Sequence, residues 1–440
     1  MDELIKSLTR FAFAMSLFGL EQISRPVFQR RRGGASESTT AALESLSRAM
    51  SQSLGGFLAK IFRAGDDAQR DMVDSMYDAL TLDAFTPRGA LRTTFRALRQ
   101  SAEALRLLAP GRDSSCAWQE LKNKLQAFEL FEHVDWVLRV GNRPALAELV
   151  EKASALDSYL AVWAYEGVGH YFAEVLAEQP ETPTHLLTGP AVTALRPGSL
   201  APLHAGMGLS FADRVLKRLQ PQCSVSEVRE ALSNFEMLCE MNSQPGYGGA
   251  AYEALGLVCR NLYPQLLATI DEQLSALGED KVGYFWHGVG RAVYFAPTGF
   301  MPCASSQRQY ERTQTEPPHD LGRLNATAGF AWALTLVNIR HPEIIEAFLK
   351  RYGSQLCLND AFSNGVASSV LIWHDSAPND PHIAGLLRYR PAPDVSESWN
   401  AQVKAPCEEA LRSYYEALKE SGRLGEVFRY LSLRDLVGNS

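Results

Sequence analysis

The sequence predicts an all-α fold in which helical-hairpin repeats form a toroid or a solenoid, preceded by a helical N-terminal region. Three observations predict it. A short pattern recurs along the middle of the chain: a polar residue, a small-x-small triplet, then an apolar run. No run alternates with period two for long enough to read as a strand. Helix breakers fall between the copies, at Gln179–Pro183, Gly189–Pro202, Pro221, Pro245–Gly249 and Pro342.

The copies are concrete. WAYEGVGHYF spans Trp163–Phe172 and FWHGVGRAVYF spans Phe285–Phe295. LHAGMGLSFA begins at Leu203, AYEALGLVCR at Ala251, LNATAGFAWAL at Leu324 and FSNGVASSVLIW at Phe362. Aligned on their small residues, positions 166, 205, 253, 287, 325 and 364 correspond, at steps of 39, 48, 34, 38 and 39 residues. Such a period fits a helix pair with two turns.

Taken in order, residues 1–34 read as an amphipathic N-terminal helix and a basic linker, with Leu4, Leu8, Phe11, Met15 and Phe18 at helical spacing before Arg30–Arg32. This segment suits either a peripheral membrane contact through residues 1–32 or packing on the body. Residues 35–144 form a helical N-terminal region with breaks at Gly55–Gly56, Gly65 and Pro110–Gly111. Residues 145–375 form the repeat core, whose apolar runs (Phe211–Leu219, Phe330–Ile339, Val366–Trp373) suit helices buried on most sides. Residues 297–318 are too long and polar for an ordinary turn and read as a loop or lid. Residues 376–440 read as an irregular Pro-rich stretch followed by C-terminal helices.

A chain of 440 residues with 46% hydrophobic and 21% charged residues is ordinary for a globular protein. Its net charge of −7 argues against a dedicated nucleic-acid binder. Residues 1–110 carry 15 basic and 12 acidic side chains, which leaves the rest at −10. Seven cysteines, an odd number without CxxC, point to reduced thiols and a cytoplasmic protein. No apolar run approaches the ~18 residues a membrane span needs.

The polar residue before each triplet carries the chemistry. Matched positions in repeats point the same way, so Glu166, Glu253, His287, Asn325 and Asn364 should converge on one inner surface, with His204 joining from one position earlier. His170 and Arg291 lie four residues after Glu166 and His287, on the same helix faces. Buried carboxylates and imidazoles need partners. Three arrangements supply them: a hydrogen-bonded structural seam, a substrate pocket with paired acid and base, or a metal site. Glu166, His204, Glu253 and His287 are the candidate catalytic residues, and as two Glu with two His they are also a ligand set for iron, manganese or zinc. Tyr165, Tyr252 and Trp286, beside them in sequence, are the candidate aromatic wall. No HExxH, P-loop, GxSxG or GxGxxG motif is present.

The succession AYEG (Ala164–Gly167), HAGMG (His204–Gly208), GYGGAAYEALG (Gly246–Gly256) and FWHGVG (Phe285–Gly290) resembles the bacterial enediyne biosynthesis protein family. In that family AYEG, HxGxGWA, HEG and LWSGVG segments recur in this order. The resemblance covers roughly residues 155–375, with Tyr252-Glu253-Ala254 standing where the family has HEG. It implies bacterial secondary metabolism. The expected function is therefore an enzyme, either a metal-dependent oxygenase or an acid/base cyclase, acting on an apolar polyketide- or terpene-like intermediate. The alternative is a non-catalytic helical-repeat scaffold or ligand carrier, working with other biosynthetic proteins.

Overall fold

The structure, a computed structural model, describes residues 144–438 apart from 178–181, 220–222, 296–305 and 379, together with scattered positions between 116 and 138. The expectations for residues 1–34 and for most of 35–144 lie outside the described residues. Contacts divide the chain into two compact units, Met1–Leu125 with Phe300–Ser305, and Gln126–Gly299 with Ser306–Ser440. All the helices named here belong to the second unit. Among the described residues 78% are helical and none is in a strand, so the fold is all-α.

Twelve helices are labelled in chain order: α1 Leu146–Ser154, α2 Ser158–Ala177, α3 Leu200–Leu216, α4 Val225–Asn242, α5 Gly248–Leu262 and α6 Leu267–Ser275. There follow α7 Glu279–Tyr294, α8 Ser306–Thr315, α9 Asp320–Val337, α10 Pro342–Leu356, α11 Ala361–Ser376 and α12 Pro381–Arg388. Local chemistry sets their starts. Ser224 and Glu227 form a reciprocal capping box on α4. Pro342 occupies the first turn of α10, where its missing N–H costs nothing. His319 Nδ1 accepts the Gly322 N–H at the start of α9.

The repeat copies are the six helices α2, α3, α5, α7, α9 and α11, and each packs on the next in chain order. They are buried almost all round; every residue of α3 from Ala201 to Ala212 is buried. Helices α4, α6, α8 and α10 lie outside, with α4 against α6 and α8 against α10. The series folds back on itself. At the start of α2, the Tyr159 hydroxyl donates to the Val337 carbonyl at the end of α9 (2.8 Å), and its ring lies 5.7 Å from that of Trp373 in α11.

Small residues mark the helix crossings. A Cβ added at Gly206 would lie 1.8 Å from the Glu166 carbonyl oxygen, at Gly288 2.0 Å from that of Glu253, and at Gly329 1.9 Å from that of His287. In these three copies the residue before the triplet offers its carbonyl to a glycine of the next repeat helix, at a backbone approach that no larger residue permits.

Two expectations are corrected. The lid at 297–318 is in part the helix α8, because Tyr310 packs on Phe330, Phe348 and Tyr352 while Gln309 and Thr313 are also buried. The irregular stretch after 376 is mostly helical: α12 starts on the Asp380 cap, and a helix with two π turns runs from Ser396 to Glu420. Pro381 sits in the first turn of α12, where it starts the helix instead of breaking it, and Pro406 comes just after the first π turn within the longer helix.

Candidate functional site: a buried Glu–Arg–Glu–His cluster

Three of the repeat helices bring four ionisable side chains together. Glu253 of α5 is the hub acceptor: one oxygen takes Nδ1 of His287 and the other takes Arg291 Nη1 at 2.5 Å. Arg291 Nη2 reaches on to Glu166 of α2 at 3.2 Å. His287 and Arg291 stand one turn apart on α7, which is why a single helix face delivers both. The guanidinium carbon lies 4.3 Å from the Trp332 ring centroid on α9, a cation–π contact. His287 and Glu253 are fully buried, and Glu166 is 7% exposed.

The two carboxylates diverge. Burial pushes the Glu253 carboxyl up, but Arg291 and His287 together outweigh it and hold it below the usual carboxylate range. For Glu166 burial wins over Arg291, and the nearby Glu253 charge adds to it, so its carboxyl is pushed up. Burial lowers Arg291, and the two carboxylates more than restore it. An ionised Glu253 can only accept, so the shared hydrogen places the N–H of His287 on Nδ1. Nε2 of His287 is buried and has no hydrogen-bond partner, as is Nε of Arg291.

His204 stands apart from this group. Its Nδ1–H donates to the Leu200 carbonyl at 2.7 Å, and its Nε2 accepts the Gln244 N–H at 2.9 Å. A carbonyl can only accept and an amide N–H can only donate, so the tautomer is fixed and both nitrogens are spent. Burial lowers its pKa to about 4, against the Leu200 hydrogen bond, and the ring stacks on Tyr247. The four-residue ligand set Glu166, His204, Glu253 and His287 is therefore not assembled. Among the described residues no group of three or more His, Cys, Asp or Glu is placed to hold a metal.

The proposed aromatic wall also faces elsewhere. Successive helical residues point about 100° apart, so the neighbour of an inward residue cannot share its direction. The Trp286 indole N–H donates to Asp271 of α6 at 2.6 Å. Tyr252 meets Phe235 and Tyr284, under the Lys281 ammonium. Tyr165 is buried in the surroundings of Ser154, Glu151 and Arg196. His170 lies 3.9 Å from Glu174 on its own helix. Asn325 and Asn364 hold the C-terminal segment: Asn325 Oδ1 accepts the Tyr430 N–H at 2.6 Å, and Asn364 Nδ2 donates to the Leu431 carbonyl at 2.8 Å.

Sequence reasoning passed over Trp332, for which an apolar run gave no signal. It also passed over a second polar group, in which Asp375 Oδ1 takes both Lys419 Nζ (2.5 Å) and the Tyr415 hydroxyl (2.9 Å). The four-residue spacing of Tyr415 and Lys419 was its one visible trace.

The fold and site define an all-α protein with a buried carboxylate–guanidinium–carboxylate–imidazole cluster between its repeat helices. Comparison with known proteins adds no relative: no family model, no curated protein and no solved structure matches the chain.

Proposed function

We propose that this protein is an acid–base enzyme that isomerises or cyclises an apolar, polyketide- or terpene-like intermediate of bacterial secondary metabolism. The observation that carries the proposal is His287, whose Nδ1 is fixed on Glu253 while its buried Nε2 has no partner. In the neutral ring that nitrogen holds a lone pair, the arrangement of an oriented general base. Nε2 takes a proton from the substrate, and the Glu253 carboxylate stabilises the imidazolium that results. Glu166, whose buried carboxyl favours its protonated form, returns a proton at the second position. The substrate loses one proton and gains one, so its composition is unchanged.

The secondary-metabolism context rests on the motif resemblance, and the apolar substrate on the composition of the repeat helices. The acidic net charge speaks against a nucleic-acid partner. A cytoplasmic location is supported by the unpaired state of the described cysteines, among them Cys239, Cys259 and Cys407. Among the described residues no helix is long and apolar enough to cross a membrane, and the contact proposed for residues 1–32 is peripheral. The metal-dependent oxygenase is the weaker enzyme reading, because Arg291 already joins the two glutamates.

A non-catalytic scaffold or carrier is the second reading. It is favoured by the pairing of His204, Trp286, Asn325 and Asn364, each with a partner that ties elements together. Replacing His287 with Gln in the producing bacterium separates the two. The enzyme reading expects the final metabolite to vanish and an isomer of equal mass to accumulate, with the variant protein folded and present. Full production by that strain would leave the scaffold reading standing, and a precursor lacking an oxygen atom would favour the oxygenase.

A further inference from the structure

Three buried polar atoms in and beside the cluster have no hydrogen-bond partner: His287 Nε2, Arg291 Nε and Trp332 Nε1. They belong to neighbouring side chains, since His287 and Arg291 share a face of α7 and the guanidinium lies over the Trp332 ring. Their roles are fixed by their chemistry. The Arg and Trp N–H groups can only donate, and His287 Nε2, with Nδ1 donating to Glu253, accepts. What the cluster offers is two donors and one acceptor, with its charge already matched. Both terminal nitrogens of Arg291 are committed to carboxylates.

We infer that the ligand of this site is an uncharged, oxygen-bearing apolar molecule, a ketone or a hydroxylated ring, and that carboxylates, phosphates and diphosphates are excluded. The inference rests on the acid–base reading of the same site and narrows its substrate class. An anion entering here meets the Glu253 carboxylate, and it gains a cation only by drawing Arg291 away from it. Breaking a buried ion pair strands a charge, which makes that exchange unfavourable. A hydroxyl instead donates to the His287 lone pair, and a carbonyl oxygen accepts from an N–H, without adding charge to a site removed from water.

The test uses the full chain, labelled with ¹⁵N in its nine histidines, and two probes of equal ring size, 2-naphthol and 2-naphthoate. The His287 nitrogens are assigned by the signals lost in His287→Gln. Near neutral pH, 2-naphthol should shift the Nε2 resonance and bind at least about tenfold more tightly than 2-naphthoate. Glu253→Gln, which removes the carboxylate and leaves Arg291 without its main counter-charge, should narrow that gap. If 2-naphthoate binds as tightly or more tightly and moves the same nitrogen, the uncharged-ligand inference is overturned while the acid–base site survives. If neither probe moves it, the cluster takes no such ligand and both readings fall.

Discussion

Glu166 and Glu253 share one guanidinium, yet their carboxyls move in opposite directions from the usual value. The difference is partner count. Glu253 has Arg291 and His287, whereas Glu166 has Arg291 alone at 3.2 Å. Glu253→Gln leaves Arg291 short of its main counter-charge and should cost about 3–5 kcal/mol by urea denaturation at neutral pH. Glu166→Gln replaces a carboxyl whose charged form burial disfavours, so its effect there should stay within about 1 kcal/mol. The pH dependences differ in sign. A raised carboxyl pKa means that the Glu166 contribution falls as pH rises from the unfolded value near 4.5 through its folded pKa. The lowered Glu253 pKa means that its contribution is full above the unfolded value and lost as pH falls through the folded one. His204, lowered to about 4 by burial, is neutral when folded, so stability should fall as pH drops from 6.5 toward 4. His204→Gln should flatten that segment of the stability–pH curve, at a cost of about 1–3 kcal/mol at pH 7 from the disturbed Gln244 N–H contact. In the sequence His204 and His287 look alike, each beside a glycine triplet. What separates them is a backbone amide 40 residues from His204 and a carboxylate 34 residues from His287, and no local pattern encodes either.

At the scale of the elements, the glycines set how closely the helices approach, and hence where the cluster residues stand. Gly288→Ala puts a methyl 2.0 Å from the Glu253 carbonyl oxygen, so α7 and α5 must separate. The expected cost is about 3 kcal/mol or more, because the clash is with backbone that cannot turn aside. Gly385→Ala is the control: it lies within α12, nothing stands within 4 Å of the added carbon, and the gain should be up to about 1 kcal/mol. Equal losses of thermal stability in the two variants would show that the crossing is looser than its distances imply. The triplets were legible as close helix contacts because small residues beside apolar runs have few other uses. Side-chain directions were less so. Tyr165, Tyr252 and Trp286 adjoin the cluster residues in sequence, but one helical step turns each away from them. Helix α8 is hidden by its composition, since SQRQYERTQT is polar and, among its described side chains, those of Gln309, Tyr310 and Thr313 are the buried ones.

For the whole molecule, the repeat predicted an all-α chain but not what the last two copies do. Glu166, Glu253 and His287 occupy the equivalent position in α2, α5 and α7, and there His287 meets Glu253 directly while Arg291 joins Glu253 to Glu166. Asn325 and Asn364 occupy it in α9 and α11, and there they grip the backbone of residues 430–431. One register of the repeat thus serves two ends, and the divergence follows residue type: an amide can both donate to and accept from a peptide group, whereas a carboxylate only accepts. The segment so held is anchored further by Leu424, Val427 and Phe428, all buried, and by the Gly425 N–H on the Gly246 carbonyl. Phe428 lies 5.7 Å from the Trp332 ring, which carries Arg291 on its face. The C-terminal segment should therefore support the cluster from a position remote in sequence. Phe428→Ala is expected to cost about 3–5 kcal/mol, the range for emptying a buried aromatic site. Under hydrogen exchange the Tyr430 amide and those in the middle of α5 and α9 should then lose protection together, as one cooperative unit. Were the segment a loosely attached tail, Tyr430 alone would exchange faster and stability would change by less than about 1 kcal/mol.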